Sequence, residues 1–340
     1  MNPFTYTSPS DLPSALRLLG KKWGGIELLA GGTDLLALMK DDVIAPKQLV
    51  NIKKIAGLHD LNCDAKTGLE AGCLVTLNEL ARDRGVRNTY PVLSQAIGDA
   101  ASPQIRNMAT LGGNLCQRPR CWYFRNGYGL LALDATGKSL VLQGDNRYHA
   151  ILGNAGPAYF VSPSTIAPVL VALGAVIEIA AFHGTRTIPL ENFYRIPQKE
   201  GEREHDLAPN EILIRLKLPP PERGASTAYY EVRQKHGFDW PVATATVSIV
   251  ASRKKVATAS IVLGQVAPTP WRSKQAEAAL IGKAIEEQVA SAAATAALQP
   301  ARGLGRNGYK IQIARVALRR AILQAAGIQV PPAHPTGAKS

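Results

Sequence analysis

Leu29-Ala30-Gly31-Gly32-Thr33-Asp34-Leu35-Leu36 and, further along, Ile105-Arg106-Asn107-Met108-Ala109-Thr110-Leu111-Gly112-Gly113-Asn114 are the two stretches on which the fold turns. Glycine lacks a Cβ, so two glycines after an apolar strand (Ile26, Leu28, Leu29) let backbone N–H groups close on an anion. The spacing of Leu35, Leu36 and Met39 predicts a helix, and Thr33 is placed to cap it with the positive end of the helix dipole facing that anion. An ordinary strand–turn–helix corner would carry the same residues. The second stretch shifts the balance. Arg106 offers a fixed charge, Asn107 and Thr110 offer hydrogen-bonding side chains, and Gly112-Gly113 offer a second bare backbone. The pair reads as a clamp for a diphosphate. It is neither a Gly-x-Gly-x-x-Gly dinucleotide fingerprint nor a P-loop, both of which are missing from these places.

Outward from the clamp, residues 1–60 alternate strand, helix, strand, helix, strand, with an amphipathic helix over Ser10–Leu19 and a buried strand over 48–52. A strand from Leu69 to Val75 leads to a capping box, Thr76 as N-cap and Glu79 three positions on. A helix spans residues 91–100. After the second glycine stretch comes a polar and aromatic segment, 117–161, then an apolar helix (166–173) and a hairpin of 176–181 with 185–189. Pro219-Pro220-Pro221-Glu222-Arg223-Gly224 is the clearest linker. Beyond it, 228–235, 242–252 and 256–263 read as three strands of one antiparallel sheet covered by helices at 273–297 and 308–326. The segment 330–340, with three prolines and little apolar content, is expected to be disordered.

Composition bounds the function. With 340 residues, 46% of them hydrophobic, the chain buries a sizeable core in two or three domains. The net charge of +13 is spread over scattered Lys and Arg with no nucleic-acid motif beside it, so a basic docking face is the better reading and nucleic acid is not expected as a partner. No apolar run reaches the length of a membrane helix, and Met1-Asn2-Pro3-Phe4 opens into fold-like sequence. The expectation is a cytoplasmic protein without membrane insertion, or a periplasmic one if a partner carries the export signal. Four unevenly spaced cysteines argue against a disulfide framework.

The two glycine stretches resemble the flavin-binding motifs of the FAD subunit of molybdenum hydroxylases, the medium subunit of the xanthine dehydrogenase family. The branch most similar is that of aldehyde oxidoreductase and 4-hydroxybenzoyl-CoA reductase. Val266-Ala267-Pro268-Thr269-Pro270-Trp271-Arg272, ahead of a helix with Glu277 and Leu280, extends the resemblance toward the C-terminus. The resemblance implies an α+β protein: a two-subdomain FAD-binding fold of the PCMH type (1–60 and 61–222, with an inserted loop 117–161), then a C-terminal CO-dehydrogenase-flavoprotein-like domain (225–328), then the tail 329–340. It implies that Leu29, Ala30, Gly31, Gly32, Thr33, Asp34, Leu35 and Leu36 wrap the FAD pyrophosphate, completed by Arg106, Asn107, Thr110, Gly112, Gly113 and Asn114. It places Arg120 at a cofactor contact and Leu213 against the flavin.

Two positions depart from the family pattern. Ser164-Thr165 stands where Ser-Asp commonly bonds the ribityl chain; threonine keeps one hydrogen bond. Glu231 replaces a lysine near the flavin, which would lower the flavin potential unless Arg233 or Lys235 compensates; alternatively Glu231 turns to solvent. The segment around Cys116-Gln117-Arg118-Pro119-Arg120-Cys121-Trp122-Tyr123-Phe124-Arg125 and Asp145–Ile151 resembles a loop that holds a 4Fe–4S cluster in relatives. Such a cluster needs about four thiolates. Only Cys121 and the nearby Cys116 remain, Cys63 reading as a surface turn, so the loop is expected as structure without a metal. The implied function is an FAD-carrying electron-transfer subunit, taking electrons from 2Fe–2S centres of a small partner, beside a large molybdenum-cofactor partner, and passing them to a final acceptor. A cofactor-poor scaffold subunit or a free-standing flavin reductase are the alternatives, and no catalytic residue is needed for a flavin relay.

Overall fold

The computed structural model describes residues 1–234 and 239–330. Its first layer is a three-stranded parallel sheet of β1 (Thr5–Thr7), β2 (Ile26–Leu29) and β3 (Gln48–Asn51) in the order β1-β3-β2. The connections α1 (Leu12–Leu18) and α2 (Leu35–Lys40) run between them. Asp11 starts α1 by accepting from the Ser14 N–H at 2.8 Å, with a proline in the first turn. The strand–helix alternation expected over residues 1–60 is present.

The second layer is a five-stranded antiparallel sheet, order β4-β5-β8-β6-β7. Its strands are β4 (Leu61–Asp64), β5 (Gly68–Gly72), β6 (Val176–Ala181), β7 (Gly184–Pro189) and β8 (Ile212–Leu218). Helices α3 (Leu77–Arg82), α4 (Arg84–Thr89), α5 (Pro91–Asp99), α6 (Pro103–Met108) and α7 (Leu111–Leu115) follow β5. The capping box is formed: Thr76 Oγ1 accepts from Glu79 N at 3.1 Å and the Glu79 carboxylate accepts from Thr76 N at 2.8 Å. One apolar core joins both layers, running from Val50 and Ile52 through Leu93 and Ile97 to Ile177 and Leu216. Cys63 lies within β4 and is partly buried, a strand residue where a surface turn was expected.

Residues 117–161 carry two short helices, α8 (Trp122–Arg125) and α9 (Leu140–Gln143), around a small core of Leu131, Ala158 and Phe160. This loop is tied to the far end of the chain. Asn146 Nδ2 donates to Leu304 O at 2.6 Å, Arg306 N donates to Asn146 Oδ1 at 2.9 Å, and Asn307 Nδ2 donates to the carbonyls of His149 and Ala150 at 3.1 Å. Buried Lys310 donates to the carbonyls of Tyr148, His149 and Gln265 at 2.8–3.2 Å. The apolar helix α10 (Ala167–Ala172) then leads back into the second layer.

The third layer has four antiparallel strands rather than three: β9 (Ala225–Val232), β10 (Ala243–Ser252), β11 (Lys255–Gly264) and the short edge strand β12 (Trp271–Arg272), order β12-β11-β10-β9. The helix expected over 273–297 is two, α11 (Lys274–Leu280) and α12 (Glu287–Ala297). Gly282, at φ +76°, turns the chain so that Gly282 N donates to Val256 O and Val256 N to Lys283 O, and this pairing with β11 ends the helix. Helix α13 (Tyr309–Ala325) closes the layer, and alanines 290, 293, 294, 314, 317 and 321, all buried, let α12 and α13 pack closely on the sheet. Among the described residues no helix is long and apolar enough to cross a membrane. Of the tail 330–340 expected to be disordered, Val330 is described and packs against the core of the third layer; the rest, and the role weighed for Lys235, fall outside the described residues.

Candidate functional site

The two glycine stretches meet backbone to backbone. A Cβ on Gly31 would lie 1.8 Å from the Met108 carbonyl oxygen, so only glycine allows the first turn to seat against the end of α6. Gly32 holds φ +75°, a second reason for glycine. Beyond it the chain exposes donors: the N–H groups of Gly31, Gly32, Thr33 and Asp34 donate to no acceptor among the described residues. Helix α2 is capped at Asp34, without a side-chain bond, and Thr33 is not its cap. Thr33 lines both chambers of the cleft.

The second stretch works differently from the expectation. Its amides are spent inside the protein: Gly112 N donates to Cys73 O at 2.8 Å, Gly113 N to Thr110 Oγ1 at 3.1 Å and Asn114 N to Thr110 O at 2.8 Å. Gly112 is there for packing, since a Cβ would lie 2.8 Å from Cys73 Cβ. Arg106 turns away from the cleft, its guanidinium donating to the carbonyls of Gly98, Ala100 and Ala101 at 2.7–3.0 Å, where it caps the C-terminus of α5. Asn107 is exposed on α6. Neither side chain reaches the lining of the cleft.

That cleft has two chambers that share Thr33, Asp34, Gly113 and Gln117 at their junction. The first, of about 190 Å³, runs between the parallel sheet and β8, past Ala30, Gly31 and Gly32 to Trp23, Ile26 and Leu213. Buried charge lines its wall. Arg203 pairs with Glu27 at 3.2 Å and stacks over the Trp23 ring at 4.3 Å, and Arg118 pairs with Glu204. Burial, reinforced by Glu204, pushes the Glu27 carboxyl up to about 7 against the pull of Arg118. The second chamber, of about 250 Å³, opens past Asn114 and Thr165 to Arg120, Arg233, Trp240 and Pro241, so the C-terminal layer forms its outer wall. Leu213 and Thr165 therefore lie on opposite sides of the glycine junction. Leu29, Leu35 and Leu36 support the first turn from below, packed with Met39 and Leu49.

Asp34 organises charge rather than offering it to a ligand. Its carboxylate accepts from Arg118 N at 2.7 Å and pairs with Arg125 at 2.7 Å and Arg120 at 3.1 Å, joining the first glycine turn to the inserted loop. Arg120 also stacks over Trp240 at 5.0 Å. Ser164 donates to Asn114 Oδ1 at 2.6 Å and holds that side chain, while Thr165 faces the chamber. Glu231 is buried, not turned to solvent: it accepts from the Tyr229 hydroxyl at 2.8 Å and pairs with Arg233 Nε at 2.5 Å. Arg233 lines the chamber as one half of that buried ion pair.

In the loop, Cys121 Sγ lies 3.1 Å from His149 Nε2, and Trp122 and Tyr123 pack against the same imidazole. Burial, with Lys310 nearby, brings the imidazole down to about 4 and keeps it neutral. Burial pushes the Cys116 thiol up to about 12. Among the described residues no three His, Cys, Asp or Glu side chains stand together as metal ligands. Trp23, Glu27, Arg118, Arg203 and Trp240 were not singled out from the sequence; of these only Arg118, in a run of three nearby arginines, carried a signal.

A cleft whose two chambers meet at a run of open amides, walled by three layers of one chain, defines a protein built to hold an extended ligand with an anionic centre. The chain belongs to the family of the FAD binding domain in molybdopterin dehydrogenase, whose model matches residues 2–221, followed by the CO dehydrogenase flavoprotein C-terminal domain over residues 228–325. It is 33% identical over 327 residues to the aldehyde oxidoreductase FAD-binding subunit PaoB of Escherichia coli, covering 96% of this chain and 99% of that one. To the carbon monoxide dehydrogenase medium chain of Hydrogenophaga pseudoflava it is 28% identical over 323 residues, 94% and 96% of the two chains. The solved carbon monoxide dehydrogenase of that organism superposes with a TM-score of 0.73 over 96% of this chain and 98% of that one. The α+β architecture expected from the sequence is the one these matches share.

Proposed function

We propose that this chain is the FAD-carrying electron-transfer subunit of a heteromeric molybdenum hydroxylase that oxidises aldehydes or heterocycles. A small partner with 2Fe–2S centres supplies the electrons, a large partner holds the molybdenum cofactor, and a final acceptor removes the electrons. The compartment follows the partners: cytoplasmic, or periplasmic where one of them carries an export signal. The observation that carries this reading is the run of four open N–H groups from Gly31 to Asp34 at the junction of two chambers. Such a run binds a pyrophosphate without any mobile cation.

FAD supplies the redox chemistry when bound; the chain supplies position and electrostatics. Gly31 to Asp34 hold the pyrophosphate, and Thr33 adds a hydroxyl. The chamber of Trp23, Glu27 and Leu213 receives the adenosine end, which gives Leu213 a place at the nucleotide rather than the ring. The chamber of Thr165, Arg233 and Trp240 receives the riboflavin end, where Thr165 offers a hydrogen bond to the ribityl chain and Arg233, paired with Glu231, lines the wall beside the ring. The test is to denature the purified chain and identify the released chromophore. Stoichiometric FAD is expected; a colourless supernatant from folded chain produced with flavin in excess would refute the reading.

A further inference from the structure

A third cavity, of about 330 Å³, lies between the inserted loop and the C-terminal layer and shares Arg120, Asp239, Trp240 and Pro241 with the second chamber. We propose that it binds an uncharged planar aromatic electron acceptor of the quinone class, held beside the flavin end of the cleft. This rests on the assignment of that chamber to the riboflavin end.

Shape and charge select the class. The walls are Trp122, Tyr148, His149, Phe160 and Trp240, five flat rings around a space at the small end of ligand pockets, which run from roughly 300 to 1,000 Å³. One bicyclic or substituted monocyclic ring fits that size; a nicotinamide dinucleotide does not. Among the described residues most polar groups on the wall are already engaged, while His149 Nδ1 is buried without a partner and can serve one ligand carbonyl. Lys310 Nζ donates to three carbonyls, Arg120 pairs with Asp34 and stacks on Trp240, Trp122 Nε1 donates to Asp145 O, and the Tyr148 hydroxyl donates to Gln234 at 2.6 Å. Among the described residues each cation on this wall already has a carbonyl or carboxylate partner, and Asp239 adds negative charge. Stacking on the five rings carries the binding. Contiguity with the flavin chamber distinguishes an acceptor from an unrelated aromatic ligand.

The probe is duroquinone, whose ring is fully substituted so that the Cys121 thiol has no open carbon to add to. Titration calorimetry on the FAD-loaded full chain is expected to show one site. Val161→Trp, which fills the cavity, is expected to weaken it at least tenfold with FAD content unchanged; Tyr148→Ala, which removes one exposed wall, is expected to weaken it several-fold and serves if the filled variant does not fold. NAD is expected neither to bind there nor to compete. Absence of a duroquinone site in a flavin-loaded chain, equal affinity in both variants, or displacement by NAD would overturn the proposal. A chain that releases no flavin would instead sink the assignment of the cleft, so the two failures are told apart by the chromophore.

Discussion

Gly31 and Met108 touch so closely that a single methyl at Gly31 would fall 1.8 Å from the Met108 carbonyl oxygen. The contact locks the anion-binding turn of the parallel layer to the end of a helix in the second layer, and it aligns the open amides with the junction of the two chambers.

Gly31→Ala should therefore cost about 3 kcal/mol, the upper end for overpacking, because the obstacle is backbone. FAD affinity should fall with it, since the turn must retreat. Gly98→Ala is the control: in α5 with nothing within 4 Å, it should be neutral or stabilising by about 0.5 kcal/mol. Denaturant midpoints and FAD titration of both variants check this.

Asp34→Ala should lower stability by on the order of 3 kcal/mol, because it leaves Arg120 and Arg125 without their partly buried counter-charge. Proteolysis should then cut first within residues 117–161, before the rest of the chain. Equal cleavage kinetics in the two proteins would show that the arginines find other partners.

The pH dependence has a definite sign. A carboxyl whose native pKa, about 7 for Glu27, stands above its ordinary 4.5 stabilises folding in the protonated form. That stabilisation is complete below pH 4.5 and is lost as pH rises through 7, on the order of 3 kcal/mol in all. Glu27→Gln should flatten the stability curve across this window, as urea unfolding at pH 5 and pH 8 would reveal.

Lys310→Met keeps the length of the side chain and removes the donor shared by three carbonyls. The cost should be about 3 kcal/mol or more, as buried acceptors lose their partner. Hydrogen exchange should accelerate at the Ile151 and Leu152 amides, which donate to Val266 O across the same junction, ahead of the amides of β5.

Local signals were well legible. The Thr76–Glu79 box, the strand–helix alternation of the first layer and the glycine turn all rest on short-range chemistry, and each stands where it was read. Long-range partners were not legible. Arg106 looked like a ligand-binding charge because it stands in the second glycine stretch; its actual partners, three carbonyls ending α5, become visible only when the two helices are placed together. Glu231 differs: its partners Tyr229 and Arg233 lie two residues to either side, and what the sequence hid was the burial of that strand face. The break between α11 and α12 had a local sign in Gly282, but the pairing with Val256 that enforces it is a contact across the layer.

The five-stranded order β4-β5-β8-β6-β7 also governs how the chain matures. Strand β5 ends at residue 72 and its neighbour β8 begins at residue 212, so until the ribosome has delivered both, β5 presents an open edge. Long loop closure of this kind is slow, and an exposed edge in the meantime invites aggregation. Leu213, on the same late strand, is also a wall of the first chamber. The first chamber is not complete until β8 has been made, so a product truncated before residue 212 is expected to release no flavin on denaturation and to aggregate.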